Sequence, residues 1–375
     1  MGTASSLSNC KFINALEMEM QWYQKMKPYL IMVSLQCGFA GMYIITMVSL
    51  NQGMNHYVLA VYRHAAATLA IAPFALLLER KIRPKLAAST ALKVMALGLL
   101  EPVIDQNLYY LGMKYTSATL ASASANVLPA LTFVVAVIFR QERLQMKKLH
   151  TQAKIVGSLV TVGGTLVMVL YKGPAVDFLL PGGGTPHGVG NDGASAHHNH
   201  WLPGTLMLLA RCGGWAGFFV LQSVTLKEYP AELSLTCLIC LMGTLQGAVV
   251  ALAAERNPAA WVVGWDSRLL AAVYSGVVCS GVAYYAQGVV MKERGPVFVA
   301  AFSPLCMLLT AALGIIVLAE QIYLGSIIGA AVIVVGLYSV VWGKSKDPIN
   351  SQSRGGERIG VKAPMELPIV GSACK

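Results

Sequence analysis

The 375-residue chain is too apolar to be a soluble globular protein. Hydrophobic residues make up 56% of it and charged residues only 12%, about half the charged fraction of roughly 25% in soluble domains. The net charge of +11 could suggest a nucleic-acid partner. The basic residues, however, lie in short segments and tails between long apolar runs, where they orient helices and face anionic lipid. We therefore predict an integral membrane protein in contact with lipid, without a nucleic-acid partner.

Ten apolar runs follow one another along the chain, each near the ~20 residues that a helix needs to cross the hydrocarbon core. Their continuous apolarity excludes the alternating pattern of a membrane β-barrel. The predicted spans are 29–50, 57–78, 92–113, 118–139, 153–171, 202–222, 233–253, 269–289, 297–318 and 324–342. Residues 1–28 form a polar tail with no cleavable signal peptide, and residues 343–375 form a second tail.

The distribution of lysine and arginine predicts the orientation of these spans. With the N-terminus in the cytosol, the inside segments carry 21 of the 28 basic residues and the outside segments carry 4. Such a bias follows the positive-inside rule. It predicts that both tails are cytosolic and that the number of spans is even.

The two halves of the sequence resemble each other at a nearly constant offset, which becomes slightly shorter after the ninth span. Matching positions are Gly41 and Gly217, Glu79-Arg80 and Glu255-Arg256, Gly98 and Gly276, Glu142 and Glu320, Gly157 and Gly329, and Gly164 and Gly336. Because five is an odd number, the second copy must be inverted in the membrane. We predict an all-α fold of two inverted five-helix repeats, 29–171 and 202–342, the architecture of secondary transporters.

A Gly-, Pro- and His-rich segment, 172–201, joins the repeats and is predicted to be an irregular outer loop. Its histidines are His187, His197, His198 and His200. Imidazole groups can bind Zn or Cu, but a flexible linker lacks the fixed geometry and supporting contacts of a metal site. We favour a linker and predict no metal site. Most cysteines lie in apolar runs as small buried hydrophobes.

Ionisable side chains inside spans are costly and therefore indicate function. Arg211 lies near the middle of the sixth span and shares a helix face with Trp215 and Gln222. Arg211 could receive a substrate carboxylate, or it could form a structural ion pair with Glu101 or Asp105 of the third span. Those carboxylates, beside a helix-loosening proline, could couple transport to protons or stay paired and inert.

Neutral polar side chains on the third span and on other spans complete the predicted substrate cavity. These candidates are Gln36, Asn107, Asn126, Tyr284 and Gln287. Arg63, close to the outer end of the second span, is predicted to have a gating or structural role rather than a binding role. Glu142 and Glu320 are predicted to be structural. No P-loop is present, so we predict no cofactor and no ATP-driven pump.

Several sequence segments resemble one plant family. They are 41–85, 102–133 and 298–344, with "PVIDQN" at 102–107 and "LAEQIYLG" at 318–325 as the most specific motifs. The resemblance covers about residues 29–345, and it is to the nodulin-like, walls-are-thin-related transporters. That family carries two EamA domains and belongs to the drug/metabolite transporter superfamily. The resemblance implies ten spans and the movement of small organic solutes, with amino acids and auxin among them.

The repeat and the resemblance together predict a secondary transporter or facilitator of small organic solutes, with amino acids as the leading substrates. Auxin or another metabolite is the alternative substrate, and a membrane receptor or enzyme is the remote alternative. An enzyme should show clustered acid, base or metal ligands, as in H-E-x-x-H, and this sequence has none. We expect no catalytic residues, a location in the plasma membrane or else the vacuolar membrane, and a homo-oligomer as one possible assembly.

Overall fold

The computed structural model describes a helical membrane protein. The described residues are 2–115, 124–142, 148–171, 174, 201–318 and 324–346. Within these ranges every regular element is a helix. Seven helices in the described part of the chain are long and apolar enough to cross a membrane: Trp22–Leu50, His56–Leu78, Leu202–Glu228, Glu232–Ala254, Ser267–Arg294, Pro296–Leu313 and Ile327–Ser345.

The first half begins with one long helix. Helix α1 runs without interruption through Pro28, because the Glu, Met, Gln and Lys residues around it are good helix formers. The predicted border between tail and span at residue 28 is therefore not a break in the backbone. The elements are α1 (Gly2–Asn51), α2 (His56–Leu78), α3 (Ala88–Gly98), the π-helical segment π1 (Leu99–Asp105), α4 (Gln106–Tyr115), a 3₁₀ turn (Ala125–Val127), α5 (Leu128–Ile138) and α6 (Leu149–Leu170).

The second half repeats this order. Its elements are α7 (Trp201–Glu228), α8 (Glu232–Ala254), a 3₁₀ turn (Pro258–Trp261), α9 (Ser267–Tyr274), the π-helical segment π2 (Ser275–Val282), α10 (Ala283–Arg294), α11 (Pro296–Ala301), α12 (Ser303–Leu318) and α13 (Leu324–Ser345). In each half a π-helical segment interrupts the third predicted span. Such segments are rare, and they occur frequently at functional sites.

Three predicted spans coincide with helices outside the set of seven. The third predicted span lies on α3, π1 and α4, and the fifth lies on α6. The fourth lies on α5, an apolar helix whose described part, with the turn before it, is Ala125–Ile138. The structure therefore supports an all-helical membrane fold, and the count of ten spans stays a prediction.

The repeat offset reappears in the packing of the helices. A Cβ atom built on Gly98 would lie 2.9 Å from Cβ of Met242 in α8. A Cβ atom built on Gly276, the counterpart of Gly98, would lie 2.8 Å from Cβ of Ala66 in α2. Ala66 and Met242 are themselves counterparts at the repeat offset. The same close helix contact is therefore made twice, once by each half.

Helices α6 and α13, which are equivalent in the two halves, pack against each other in opposite directions. A Cβ atom on Gly157 would lie 2.8 Å from the carbonyl oxygen of Gly336, and one on Gly164 would lie 3.0 Å from that of Gly329. Small residues allow this close approach. Because the contacts run in reverse order along the two helices, the equivalent helices are antiparallel, as an inverted repeat requires.

The outer surface of the helices is apolar. Leu69, Leu77 and Tyr338 are each at least 70% exposed, together with many other large hydrophobic side chains. A continuous apolar surface of this size would be a liability in water. It suits helices that are surrounded by lipid.

Candidate functional site

A cavity of about 350 Å³ lies among helices of both halves. Its wall is formed by α1, α2, π1 and α4 of the first half and by α7, π2, α10, α11 and α12 of the second half. Five aromatic rings contribute to the wall: Phe39, Tyr43, Tyr109, Trp215 and Phe219. A largely apolar cavity with a few converging polar groups is the usual form of a small-molecule site.

An ion pair between the two halves stands in the cavity wall. Nε of Arg211 in α7 lies 2.8 Å from Oδ1 of Asp105 at the end of π1. Neither atom has an aligned hydrogen-bond partner, so the contact is electrostatic and not a well-formed hydrogen bond. The guanidinium group also lies over the rings of Tyr109 and Trp215, 4.6 and 5.5 Å from their centroids. Arg211 is 4% exposed and Asp105 is 6% exposed.

A second buried ion pair lies beside the first. Nη2 of Arg63 in α2 is 3.7 Å from Oε1 of Glu101, and Nε2 of His64 is 3.5 Å from Oε2 of Glu101. The Tyr284 hydroxyl donates a hydrogen bond to Glu101. Nε of Arg63 donates to Oγ of Ser280 at 2.7 Å. This cluster therefore connects π1 of the first half to π2 and α10 of the second half.

Half of the predicted site residues line the cavity. They are Gln36, Asp105, Arg211, Trp215 and Gln287. The structure places the other five candidates outside this lining. They are Glu101, Asn107, Asn126, Gln222 and Tyr284.

The five candidates outside the lining have other contacts. Glu101 and Tyr284 contact each other, and Nε2 of Gln222 donates to the carbonyl oxygen of Tyr284 at 3.2 Å. Nδ2 of Asn126 lies 2.6 Å from Sδ of Met307. Asn107 donates to the carbonyl oxygen of Val103 at 2.6 Å and faces a separate apolar groove. Each of these side chains thus meets a protein group instead of the open cavity.

Arg63 is a cavity-lining residue that the sequence interpretation left out of the site. It was expected near the outer end of its span in a gating or structural role, whereas the structure places it in the cavity wall beside Glu101. The cost of an unpaired charge inside a membrane could have indicated this position. A largely buried arginine is stabilised by a carboxylate, and Arg63 meets Glu101 at 3.7 Å.

Glu142 has the structural surroundings that were predicted for it. Lys154 donates to Glu142 at 3.3 Å and Lys344 donates to it as well. This cluster joins the ends of α6 and α13, away from the cavity. Glu320, the counterpart of Glu142, lies outside the described residues, as do the loop histidines His187, His197, His198 and His200.

An all-helical membrane protein whose two repeated halves enclose a largely apolar cavity with a few charged groups has the form of a membrane transporter. The EamA-like transporter family matches residues 27–170 and 202–342, and the chain belongs to this family. It is therefore a multi-pass integral membrane protein that handles small solutes, and it is not an enzyme.

Plant relatives cover most of the chain. The WAT1-related protein At1g21890 of Arabidopsis thaliana is 64% identical over 86% of this chain and 85% of the relative. The WAT1-related protein At4g08300 of the same plant is 56% identical over 94% of this chain and 93% of the relative. A crystal structure of another protein matches 85% of this chain and 98% of its own, with a TM-score of 0.63 and 19% identity. At that identity the match supports the fold alone.

Proposed function

We propose that the protein is a secondary transporter or facilitator that moves amino acids across a plant membrane. The observation that carries this proposal is the position of Arg211 in the cavity wall, where its guanidinium group lies over two aromatic rings and beside Asp105. A guanidinium group offers two parallel donors to a carboxylate. An amino acid presents such a carboxylate, and its side chain would meet the aromatic wall.

Auxin is the second candidate because it combines a carboxylate with an aromatic ring. The rings of Tyr109 and Trp215 beside Arg211 favour a substrate of this kind over a polar metabolite such as a sugar. Auxin, however, carries one negative charge and no positive charge. It would leave Asp105 opposite a second carboxylate, which is unfavourable in a low-dielectric cavity.

The proposed transport mechanism uses the two halves as rocking units around a fixed site. In this proposal ten spans form two inverted repeats, 29–171 and 202–342, with the cavity near the middle of the membrane. The antiparallel packing of α6 and α13 supports the inversion. We place both tails in the cytosol and segment 172–201 outside or in the lumen. The plasma membrane is our preferred location, with the vacuolar membrane as the alternative.

Reconstituted vesicles test the proposed substrates. Purified protein is offered a mixed panel of labelled amino acids and auxin, with and without a proton gradient. We expect uptake of amino acids by the wild type, loss of that uptake in Arg211→Gln, and partial recovery in Arg211→Lys because lysine lacks the planar two-donor fork. Arg268→Gln is the matched control, since Arg268 is partly exposed and pairs with Asp266 far from the cavity. Normal uptake in Arg211→Gln would contradict the proposal.

Cysteine accessibility tests the proposed topology. Single cysteines are introduced into segment 172–201 and into each tail, and a membrane-impermeant reagent is applied to intact cells. We expect labelling of the loop from outside and of the tails only after permeabilisation. Labelling of the loop and the C-terminal tail from the same side would exclude five spans between them and would contradict the ten-span model.

A further inference from the structure

The two ion pairs formed by carboxylates of π1 differ in how completely these carboxylates are satisfied. Glu101 contacts Arg63 and His64 and accepts a hydrogen bond from Tyr284. Asp105 is equally buried, but its Oδ1 meets only Nε of Arg211, without hydrogen-bond alignment. Buried charged groups in native proteins are normally hydrogen-bonded. The Asp105 pair therefore has bonding capacity left over, and both of its residues line the cavity.

We propose that Asp105 receives the ammonium group of the substrate and thereby restricts transport to zwitterions, excluding simple carboxylate anions. This proposal rests on the proposed function, in which Arg211 receives the substrate carboxylate. An amino acid carries its ammonium and carboxylate groups on a single carbon atom. It can enter between Asp105 and Arg211 and replace one poorly aligned contact with two charge-assisted hydrogen bonds.

The charge balance of the cavity favours the same class of substrate. Arg63 and Arg211 balance Glu101 and Asp105 among the arginine and carboxylate side chains described around the cavity. A zwitterion leaves this balance at zero. A carboxylate anion would add one uncompensated negative charge close to Asp105, where the low dielectric makes like charges repel strongly. Asp105 thus acts as a specificity determinant.

The two positions that would hold the substrate belong to different halves. Asp105 is part of π1 in the first half, and Arg211 is part of α7 in the second. A zwitterion bound between them would contact both halves at once. It would therefore not follow the movement of one half independently of the other. The pair is therefore placed where the substrate itself connects the two rocking units.

Paired substrates measure the role of Asp105 directly. Leucine and 4-methylpentanoate have the same carbon skeleton and carboxylate, but only leucine has the ammonium group. Vesicle uptake of both is measured for the wild type, for Asp105→Asn and for Glu228→Gln. The last is a matched control, because Glu228 is a half-exposed carboxylate that pairs with Lys93 away from the cavity.

We expect the wild type and Glu228→Gln to prefer leucine strongly. In Asp105→Asn, kcat/KM for leucine should fall on the order of 100-fold, the lower part of the range for removing one partner of a buried charge pair. Uptake of 4-methylpentanoate should rise at the same time, because Arg211 is then free to neutralise an anion. An unchanged ratio of the two rates in Asp105→Asn, with wild-type leucine uptake intact, would overturn the role of Asp105.

Competition in the wild type provides a test that does not depend on the folding of the variant. N-acetylleucine and 4-methylpentanoate lack the ammonium group, and we expect neither to compete with labelled leucine at concentrations where unlabelled leucine competes fully. Competition by either acid as strong as that by leucine would overturn the proposal. Absence of leucine and all other amino-acid uptake in the wild type would instead overturn the proposed function.

Discussion

The two halves of the protein share their helix packing but differ in their cavity chemistry. The close glycine contacts and the π segments occur in both halves, and the equivalent helices α6 and α13 pack against each other. The cavity charges occur at positions whose counterparts at the repeat offset are uncharged. The charged residues and their counterparts are Arg63 and Ile239, Glu101 and Cys279, Asp105 and Ala283, and Arg211 and Leu35.

This difference has a physical reason. Positions related by a two-fold axis come close together near that axis, so a charge repeated in both halves would face its own copy. Like charges repel strongly in a low-dielectric interior. Symmetric packing can support two equivalent rocking units, whereas an asymmetric set of charges can bind an asymmetric substrate in one orientation. Each prediction below compares a residue in one half with its counterpart in the other.

The largest effect on stability is expected for Glu101→Gln, which leaves Arg63 without its carboxylate in the protein interior. We expect a loss of about 3–5 kcal/mol, the usual cost of breaking a buried ion pair. The counterpart Cys279→Ala should cost about 1 kcal/mol, because it removes one small buried group. Thermal unfolding of the purified proteins measures both. Equal melting temperatures for the two variants would show that the Glu101 pair does not stabilise the fold.

Replacing the glycines at the repeated helix contact should destabilise both halves. Gly98→Ala and Gly276→Ala force the helices apart at a cost of about 1–3 kcal/mol. The effect at Gly276 should be larger, because its Cβ would lie 2.3 Å from the backbone oxygen of Arg63. Gly213→Ala is the control, since a Cβ there meets no neighbouring atom within 4 Å. Wild-type melting of Gly276→Ala would contradict the helix contact described here.

Glu79 and Glu255 occupy equivalent positions but support helices differently. Glu79 accepts hydrogen bonds from the backbone N–H groups of Leu233 at 2.9 Å and Ser234 at 2.6 Å, at the start of α8. Glu255 accepts from the side chain of Asn55, the residue that caps α2. Glu79→Gln should cost about 1.5–3 kcal/mol, as expected for hydrogen bonds to a charged group.

Glu255→Gln is the matched variant for this prediction. Because Glu255 is only partly buried and Asn55 itself caps α2, we expect a loss below about 1 kcal/mol. Melting temperatures in the same detergent compare the two variants. A larger loss for Glu255→Gln than for Glu79→Gln would show that the direct contact of Glu79 with the backbone is not what stabilises α8.

The smallest predicted effect concerns the aromatic wall. Trp215 contacts the guanidinium of Arg211, while its counterpart Phe39 belongs to the apolar core around the cavity. Trp215→Leu should raise KM for leucine by roughly 2- to 30-fold, corresponding to a cation–π contribution of about 0.5–2 kcal/mol. Phe39→Leu should alter melting more than KM. If Trp215→Leu instead altered melting more than KM, and Phe39→Leu altered KM more than melting, Trp215 would not belong to the substrate site.

The sequence predicted the repeat, but only half of the candidate site residues that it indicated line the cavity. The offset that pairs Gly98 with Gly276 and Gly157 with Gly329 also relates the contacts that these glycines make. Asn107 was a candidate as a polar neighbour of Asp105 on the same span, but residues two positions apart on a helix do not face each other. Asp105 therefore lines the cavity, while Asn107 faces a separate groove.

The amino-acid sequence by itself determined the membrane class, the helical content and the register of the two halves. These properties depend on local apolarity and on helix contacts between small residues, and both can be read along a single chain. The tertiary structure alone decided which carboxylate pairs with which arginine. Glu101 and Asp105 are one turn apart and similarly buried, so the choice depends on the helices that approach each of them. Helix α2 brings Arg63 to Glu101, and α7 brings Arg211 to Asp105.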